Sequence, residues 1–589
     1  MLPSSSRHRT PQPKIIELVI FQLKVWGLQL RRSTIDLCTQ SVRTYQPQTS
    51  TIAGEILAES RSPLWGMSIS GLATETIELE QPLIAGKIHN LRIAIRQLNG
   101  IEIPAGEIFS FWAQLGQPHR FRGYVKGREL RQGCIVPTIA GGICQLANAL
   151  YQVALSADLE IVERHRHSTI VPGSSAEIDR DATIFWNYVN LRFRVKQTVK
   201  IEAELTSDTL IVRLRGIHVK LPQTATSSPV INFAINEQRA SCQSCLAEDC
   251  IRKLTIPTVA AKFGRTAYLV DEYWAELDRY LQQQRASQDL LLIPLDGKVW
   301  RKPNYNWTQS GFARVQRETI ATLRRSIASR NLPAQGSSRQ QILLAQDAKL
   351  ARRFSQSLTS DVTHLVVMQN LLPDLWQSGS CGGRTFDVLM TRLPIANLQA
   401  RLTAAHQAYA ASPTLGDFRA DRALLELEQQ ALQSARRIIT PHREIAALFP
   451  DRAVLIDWQL PEITTPPLPG RQILFPSATL GRKGAYELRS IAQELDLELK
   501  VLQPCLEGEN FWAGVKVEST DSLSLDGVGL VVLPAHVEHQ PRFLLRAIAC
   551  GIPVIATDAC GLGEMAGVRT IPVGDVAALR FSLREANLS

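Results

Sequence analysis

From about Ile256 to the C-terminus, short apolar runs alternate with longer amphipathic stretches, and this alternation restricts the fold more than any other feature. Residues 266–270, 290–295, 342–344, 364–368 and 386–390 are apolar runs, separated by helical stretches such as 313–329 and 348–358. Residues 402–437 read as one or two long helices, and 437–440 as another strand. The last third repeats the pattern, with strands at 472–475, 497–502 and 528–533, helices ending near Leu495 and over 542–550, and a turn and strand at 551–558. Alternation of this kind predicts parallel sheets with helices on both faces. The expected fold class is therefore α/β multidomain, with two Rossmann-like doubly wound domains at 255–450 and 451–589.

A different pattern precedes them. Residues 141–168, GGICQLANALYQVALSADLEIVERHRHS, join a glycine pair, a cysteine, an apolar helical run and a cation-rich His-x-His segment. Glycine adopts positive φ at little cost, so Gly141 and Gly142 suit a tight turn or a close approach. Cys144 would open the helix, where the positive end of the helix dipole lowers a thiol pKa. His165 or His167 could then serve as base, a nucleophile-and-base pattern with its partners close in sequence. The alternative is a buried structural cysteine beside histidines that satisfy backbone groups.

The motifs around this stretch carry a resemblance. PAGEIFSFWAQLG (104–116), Gly123-Tyr124, GGICQL, ERHRHS (163–168) and DATIFWNYVNLRF (181–193) occur in the order of the VanW family. The resemblance covers roughly residues 82–215 and implies an α+β domain connected with the bacterial cell envelope. Some relatives are thought to be L,D-transpeptidases, which would make Cys144 the nucleophile, His165 or His167 the base and Asp181 the group that orients a histidine. Arg164 would hold a substrate carboxylate, with Gly141, Gly142 and Gln145 lining the substrate. Asn190 and Val195 depart from the pattern, standing where an aspartate and an asparagine are usual.

The C-terminal motifs resemble the donor half of a GT-B glycosyltransferase of the retaining, sucrose-synthase-like group. They are Pro534, Glu538, Pro541, LLRAIACGIPVIATD (544–558) and Gly574-Asp575. The resemblance implies a nucleotide-sugar donor whose diphosphate is stabilised by Arg482 and Lys483, with Glu538 near the donor sugar. Arg546 stands where the second glutamate of that group's spaced pair is usual, replacing an acceptor with a cation.

A chain of 589 residues exceeds a single core, so several domains are expected. The segments 1–80 (a basic amphipathic helix and connector), 81–218 (the VanW-like domain) and 219–254 (a linker) precede the two Rossmann-like domains. A formal charge of +10 points to anionic partners such as phosphorylated substrates or a membrane surface, and nothing in the motifs points to nucleic acid. Residues 14–32 are too interrupted to span a bilayer, which needs about 20 mostly apolar residues. They would lie on an anionic membrane face or dock on the protein itself. Ten scattered cysteines form no disulfide framework and fit a reducing compartment. Only Cys242, Cys245 and Cys250 cluster, in a C-x2-C-x4-C spacing that suits zinc or an iron–sulfur cluster, or else a redox pair or plain surface thiols. No export signal is evident, so the expected location is the cytoplasm, including the inner face of the membrane. The expected activity is transfer of a sugar from a nucleotide donor to a peptide- or lipid-linked envelope precursor. The alternatives are a catalytically silent precursor-binding scaffold, and cysteine-dependent acyl transfer.

Overall fold

The computed structural model describes residues 15–39, 43–47, 63–72, 80–131, 134–167, 180–216, 263–330, 337–417, 419–522 and 524–588. The chain forms two compact units. The first is Met1–Arg265 with Thr359–Thr363 and Ser378–Arg384, and the second is the remainder.

The first unit contains α1 (Ile15–Thr39), β1 (Leu64–Gly71), α2 (Gln81–Ile95), β2 (Ile101–Ile103), β3 (Ile108–Ser110) and α3 (Phe111–Leu115). The hairpin β4 (Lys126–Arg131) and β5 (Cys134–Ile139) leads to α4 (Cys144–Ser156). Then come β6 (Glu160–Glu163), β7 (Arg192–Arg194), β8 (Val199–Leu205) and β9 (Thr209–Gly216). Pro82 sits in the first turn of α2, where its missing N–H costs no hydrogen bond. An antiparallel sheet has the order β1-β9-β8-β2, and a second one the order β3-β7-β6. In β9 every second residue from Leu210 to Gly216 is buried, the period expected of a sheet with one covered face. Leu146, Leu150 and Val153 of α4 share a core with Leu91, Phe109, Phe193 and Ile201. Phe109 and Phe193 stack across β3 and β7 with centroids 4.8 Å apart. Burying a side chain of that size stabilises the domain by roughly 1.5–3 kcal/mol.

Expectation and structure part at 64–71, read as connector. This segment is an edge strand that pairs with β9 from Leu64↔Arg215 to Gly71↔Thr209. Two glycines and two serines in LWGMSISG hide its strand signal.

The second unit begins with β10 (Arg265–Leu269), α5 (Ala275–Gln284), β11 (Leu290–Ile293), β12 (Arg314–Arg317), α6 (Thr319–Arg330) and α7 (Ser337–Ser357). It continues through β13 (Val362–Met368), α8 (Leu372–Gln377), β14 (Thr385–Leu389), α9 (Ile395–Ala408) and α10 (Arg422–Ser434). β15 (Arg437–Thr440), α11 (Arg443–Ala447) and β16 (Ala453–Leu455) complete a seven-stranded sheet of order β12-β11-β10-β13-β14-β15-β16. A second sheet is built from β17 (Gln472–Thr479), α12 (Ala485–Glu494), β18 (Glu498–Cys505), β19 (Lys516–Thr520) and β20 (Val528–Leu533). It ends with α13 (Arg542–Ala549), β21 (Val554–Thr557), β22 (Val568–Ile571) and α14 (Val576–Leu588). Its order is β19-β18-β17-β20-β21-β22, with all neighbours parallel. Counted within each domain, both sheets contain the order 3-2-1-4-5-6 of the Rossmann fold, whose reversal after the first strand puts helices on both faces.

Two expectations in this unit need correction. Residues 342–344 lie inside α7 and are not a strand, because a short apolar run has the same pattern in a buried helix as in a strand. Residues 313–329 are not a single helix. Arg314–Arg317 is an edge strand on β11, and the helix starts only at Thr319.

Candidate functional site

Cys144 opens α4 after the turn at Ala140–Ile143. The turn is tight because Gly141 meets Gly127 of β4 backbone to backbone. A Cβ on Gly141 would collide with the Gly127 carbonyl, and Asn90 Nδ2 donates to the Gly141 carbonyl at 3.0 Å. Gly142 has φ +95° and lies against the Lys87 side chain. The Gly141 N–H is already bonded to the Thr138 carbonyl at 2.9 Å, so it is not presented to a ligand. Gln145 donates to Ser70 Oγ and to the Gly71 carbonyl, both at 2.8 Å, which ties α4 to β1. The Cys144 thiol points to the Ile184 carbonyl at 3.9 Å, and burial pushes its pKa up. A thiol lowered by the helix dipole was expected. Loss of hydration at the thiolate outweighs the helix terminus here.

The histidine segment gathers around Asp181 instead. His167 Nδ1 lies 2.7 Å from Asp181 Oδ2, and the His167 backbone N–H donates to the same oxygen at 2.8 Å. Arg164 donates to the Asp181 carbonyl at 2.7 Å and to Oδ1 at 3.0 Å, with its guanidinium 5.1 Å from the centre of the Tyr151 ring. Burial raises the Asp181 carboxyl, but the His167 and Arg164 contacts outweigh it and hold the carboxyl below the ordinary range. His165 pairs with Glu163 at 3.2 Å, and Glu163 also binds Arg32 of α1 at 2.6 Å. Arg164, His167 and Asp181 are thus brought together, while neither histidine is among the hydrogen-bond partners of Cys144. Asn190 bonds Trp112 N–H and Ser110 Oγ, so the residue that departs from the family pattern fastens α3 to the loop before β7.

The other cluster stands at the carboxyl ends of the strands in the second unit, where doubly wound sheets take their ligands. After β17 the chain turns through Gly481–Gly484 into α12. Gly484 has φ +77°, and a Cβ there would overlap the Pro534 carbonyl. Glu507 anchors the turn, accepting from Gly481 N at 2.6 Å and Tyr486 Oη at 2.9 Å. Lys483 Nζ meets Glu538 Oε2 at 2.7 Å. Burial raises Glu538, but Lys483 more than offsets it and lowers the carboxyl. Arg482 has no hydrogen-bond or ion-pair partner for its guanidinium among the described residues, and burial lowers its pKa. His539 accepts the Leu393 N–H at 3.3 Å, and its pKa is pushed well down, first by burial and then by neighbouring cations. His442 bonds the carbonyls of Glu538 and Ala559. Arg546 is exposed on α13, with Asp526 among its electrostatic neighbours.

Sequence reasoning missed the facing cluster on the first parallel sheet. Asp271, just past β10, takes both oxygens' bonds from Arg325 Nη1 at 3.1 and 2.9 Å, and a third from Asn370 at 2.8 Å. Arg325 Nη2 reaches Asp347 at 3.0 Å. Burial, then the Asp271 charge, push the Asp347 carboxyl up to about 7 despite Arg325. Glu272, which follows Asp271 in the chain, takes a hydrogen bond from the Gln540 side chain. The available signal was an aspartate directly after the apolar run of a first Rossmann-like strand.

No group of three or more metal-binding side chains occurs among the described residues. Cys242, Cys245 and Cys250 lie outside them. No helix among the described residues is long and apolar enough to cross a membrane.

Comparison with known proteins finds relatives for part of the first unit. Residues 86–215 match the family model described as VanW like protein. The Vancomycin B-type resistance protein VanW of Enterococcus faecalis is 33% identical over 111 residues, 18% of this chain and 40% of that protein. The uncharacterized protein YoaR of Bacillus subtilis is 28% identical over 149 residues, 24% of this chain and 48% of that protein. The chain thus spans less than half the length of either relative. Among solved structures, sucrose-phosphate synthase from Thermosynechococcus elongatus aligns with a TM-score of 0.36 and 15% identity, covering 55% of this chain and 90% of that one. HepE of Anabaena, solved with UDP and glucose, aligns with a TM-score of 0.32 and 12% identity, covering 55% and 90%. Residues 86–215 of this chain are a VanW-like domain, followed by two Rossmann-like domains.

Proposed function

We propose that the chain transfers a sugar from a nucleotide-sugar donor to a cell-envelope precursor, peptide- or lipid-linked. The observation that carries this reading is the turn Gly481–Gly484. It sets Arg482, whose guanidinium has no direct hydrogen bond or ion pair among the described residues and only Glu538 and Asp417 as charged neighbours, beside Lys483 at the start of α12. A nucleoside diphosphate leaving group gains negative charge as the sugar departs. Two cations and a helix N-terminus stabilise that charge in place. Glu538, held ionised by Lys483, would accept a hydrogen bond from a hydroxyl of the donor sugar. The test is a screen of the full chain for release of nucleoside diphosphate from UDP- and GDP-sugars. Release that disappears in Lys483→Met supports the reading, and no release from any common donor counts against it.

Arg546 favours a second reading, a silent precursor-binding scaffold. An exposed cation on α13 offers no acceptor for ribose hydroxyls. Binding of an envelope precursor with no release of nucleoside diphosphate from any sugar nucleotide would select it. Acyl transfer by Cys144 has less support, since the pKa of its thiol is raised and it has no histidine partner among the described residues. We propose further that the protein is cytoplasmic and touches the inner face of the membrane through α1. Gln29 and Arg32 of α1 bind Trp186 and Glu163, whereas Leu23, Trp26 and Leu30 of the same helix are exposed. For the cysteine cluster at 242–250 we propose zinc or an iron–sulfur centre. Elemental analysis of anaerobically purified protein tests it, and absence of both metals would retire it.

A further inference from the structure

Between α6 and α7 lies a cavity of about 590 Å³, a volume typical of small-molecule sites. Its wall includes Arg324 and Arg325 from α6, and Lys349, Arg352 and Arg353 from α7. The two helices carry one carboxylate between them, Asp347, and it is committed to Arg325. Arg352 has Asp374 at 3.9 Å. Among the described residues, no carboxylate lies within ion-pair distance of Arg324, Lys349 or Arg353. Arg324, Lys349, Arg352 and Arg353 are solvent-exposed, so water screens their mutual repulsion, but cations gathered on one concave surface raise the local positive potential and attract an anion.

A second, independent observation concerns Gln346. It lines the same cavity, is 9% exposed, and its side-chain oxygen has no hydrogen-bond partner among the described residues. Leaving such a group buried and unpaired costs about 1–3 kcal/mol. The oxygen has almost no accessible surface, so the side chain must rotate to present its amide to a ligand in the cavity, as acceptor to a hydroxyl or donor to a phosphate oxygen.

The cavity stands beside the carboxyl edge of the first parallel sheet. Thr322, on its wall, donates to the Pro294 carbonyl just beyond β11, and Arg325 binds Asp271 just beyond β10. From Asp271 the chain of contacts runs through Glu272 and Gln540 to Glu538 and Lys483. On α6, Ile320 and Ile327 are 71% and 63% exposed, an apolar flank next to the cations.

We propose that this cavity binds the phosphate or diphosphate group of the acceptor, which makes the acceptor a phosphorylated molecule and not a neutral glycan. The proposal rests on the sugar-transfer reading above. Two sources share this chemistry, a soluble phosphosugar and a lipid phosphate.

Calorimetry on the full chain tests it with glucose 1-phosphate and geranyl diphosphate as probes. Both are titrated into wild type, Lys483→Met, and the double variant Arg324→Gln/Arg353→Gln, whose two sites are exposed and therefore tolerant. At least one probe should bind wild type and Lys483→Met alike, and bind the double variant at least tenfold more weakly. Binding of UDP- or GDP-sugars should show the opposite pattern, lost in Lys483→Met and kept in the double variant. Preference for geranyl diphosphate identifies a lipid phosphate, and preference for glucose 1-phosphate a soluble one. Failure of both probes on wild type, or equal binding to the double variant, overturns the proposal. If no donor binds but a probe still depends on Arg324 and Arg353, the sugar-transfer reading falls and the anion site stands.

Discussion

Replacing Arg542 by methionine would leave the Glu276 carboxylate inside the second unit without its counter-charge. Glu276 is fully buried in the first turn of α5, and Arg542 grips both its oxygens, at 2.6 and 2.8 Å. The guanidinium also lies 5.1 Å from the Trp274 ring and 5.7 Å from that of Trp458. Removing one member of a buried pair costs about 3–5 kcal/mol, because the other charge stays buried. Two features place the value near the lower end. The Arg542 side chain is 40% exposed, so its own desolvation is modest, and the Gln459 N–H still bonds Glu276 at 3.0 Å. We expect a loss of about 3 kcal/mol for Arg542→Met. In the double variant with Glu276→Gln, about 2 kcal/mol of that returns as coupling energy. Urea unfolding followed by tryptophan fluorescence measures it, with Trp274 and Trp458 reporting locally. A loss below about 1 kcal/mol, or additive effects of the two substitutions, would refute the argument.

Asp181→Asn should destabilise the VanW-like domain by about 2–3 kcal/mol at neutral pH, since it removes the charge and turns one of two acceptor oxygens into a donor facing Arg164 or the His167 N–H. The folded Asp181 pKa is depressed, so its contribution is complete above the unfolded value near 4 and is lost as pH falls through the lower folded value. The two stability curves should converge there, and a constant gap down to low pH would contradict the assignment. Gly484→Ala should cost about 2 kcal/mol or more, from positive φ and overlap with the Pro534 carbonyl. A melting temperature unchanged within a degree would show that the turn can shift. Iodoacetamide at pH 7.5 should label Cys144 at least tenfold more slowly in the folded protein than in urea, as expected of a raised, poorly accessible thiol. Equal rates would restore the case for a reactive nucleophile.

The sheets of the second unit were legible because parallel strands are buried on both faces, so VGLVVL and GIPVIATD stand out as apolar runs. Edge elements were not. RVQR of β12 and KVEST of β19 are half-solvated, and their polar residues mask the strand pattern. For the candidate sites, sequence order indicated which residues belong together near Asp181, because Arg164, His167 and Asp181 stand within 18 residues of one another. It could not show that the Cys144 thiol turns toward the Ile184 carbonyl, which depends on side-chain direction at the first turn of α4. Nor could it find Asp271, Arg325 and Asp347. They come from three separate elements and meet only when β10 packs beside α6 and α7.

On the proposed reading, the turn before α12 holds the diphosphate of a sugar nucleotide. Calorimetry of the full chain with UDP-glucose and GDP-mannose, on wild type and Lys483→Met side by side, tests it most directly. Saturable binding of at least one donor to wild type is expected, weakened tenfold or more by the substitution. Equal binding to both proteins, or no binding of any nucleotide sugar to wild type, would contradict it.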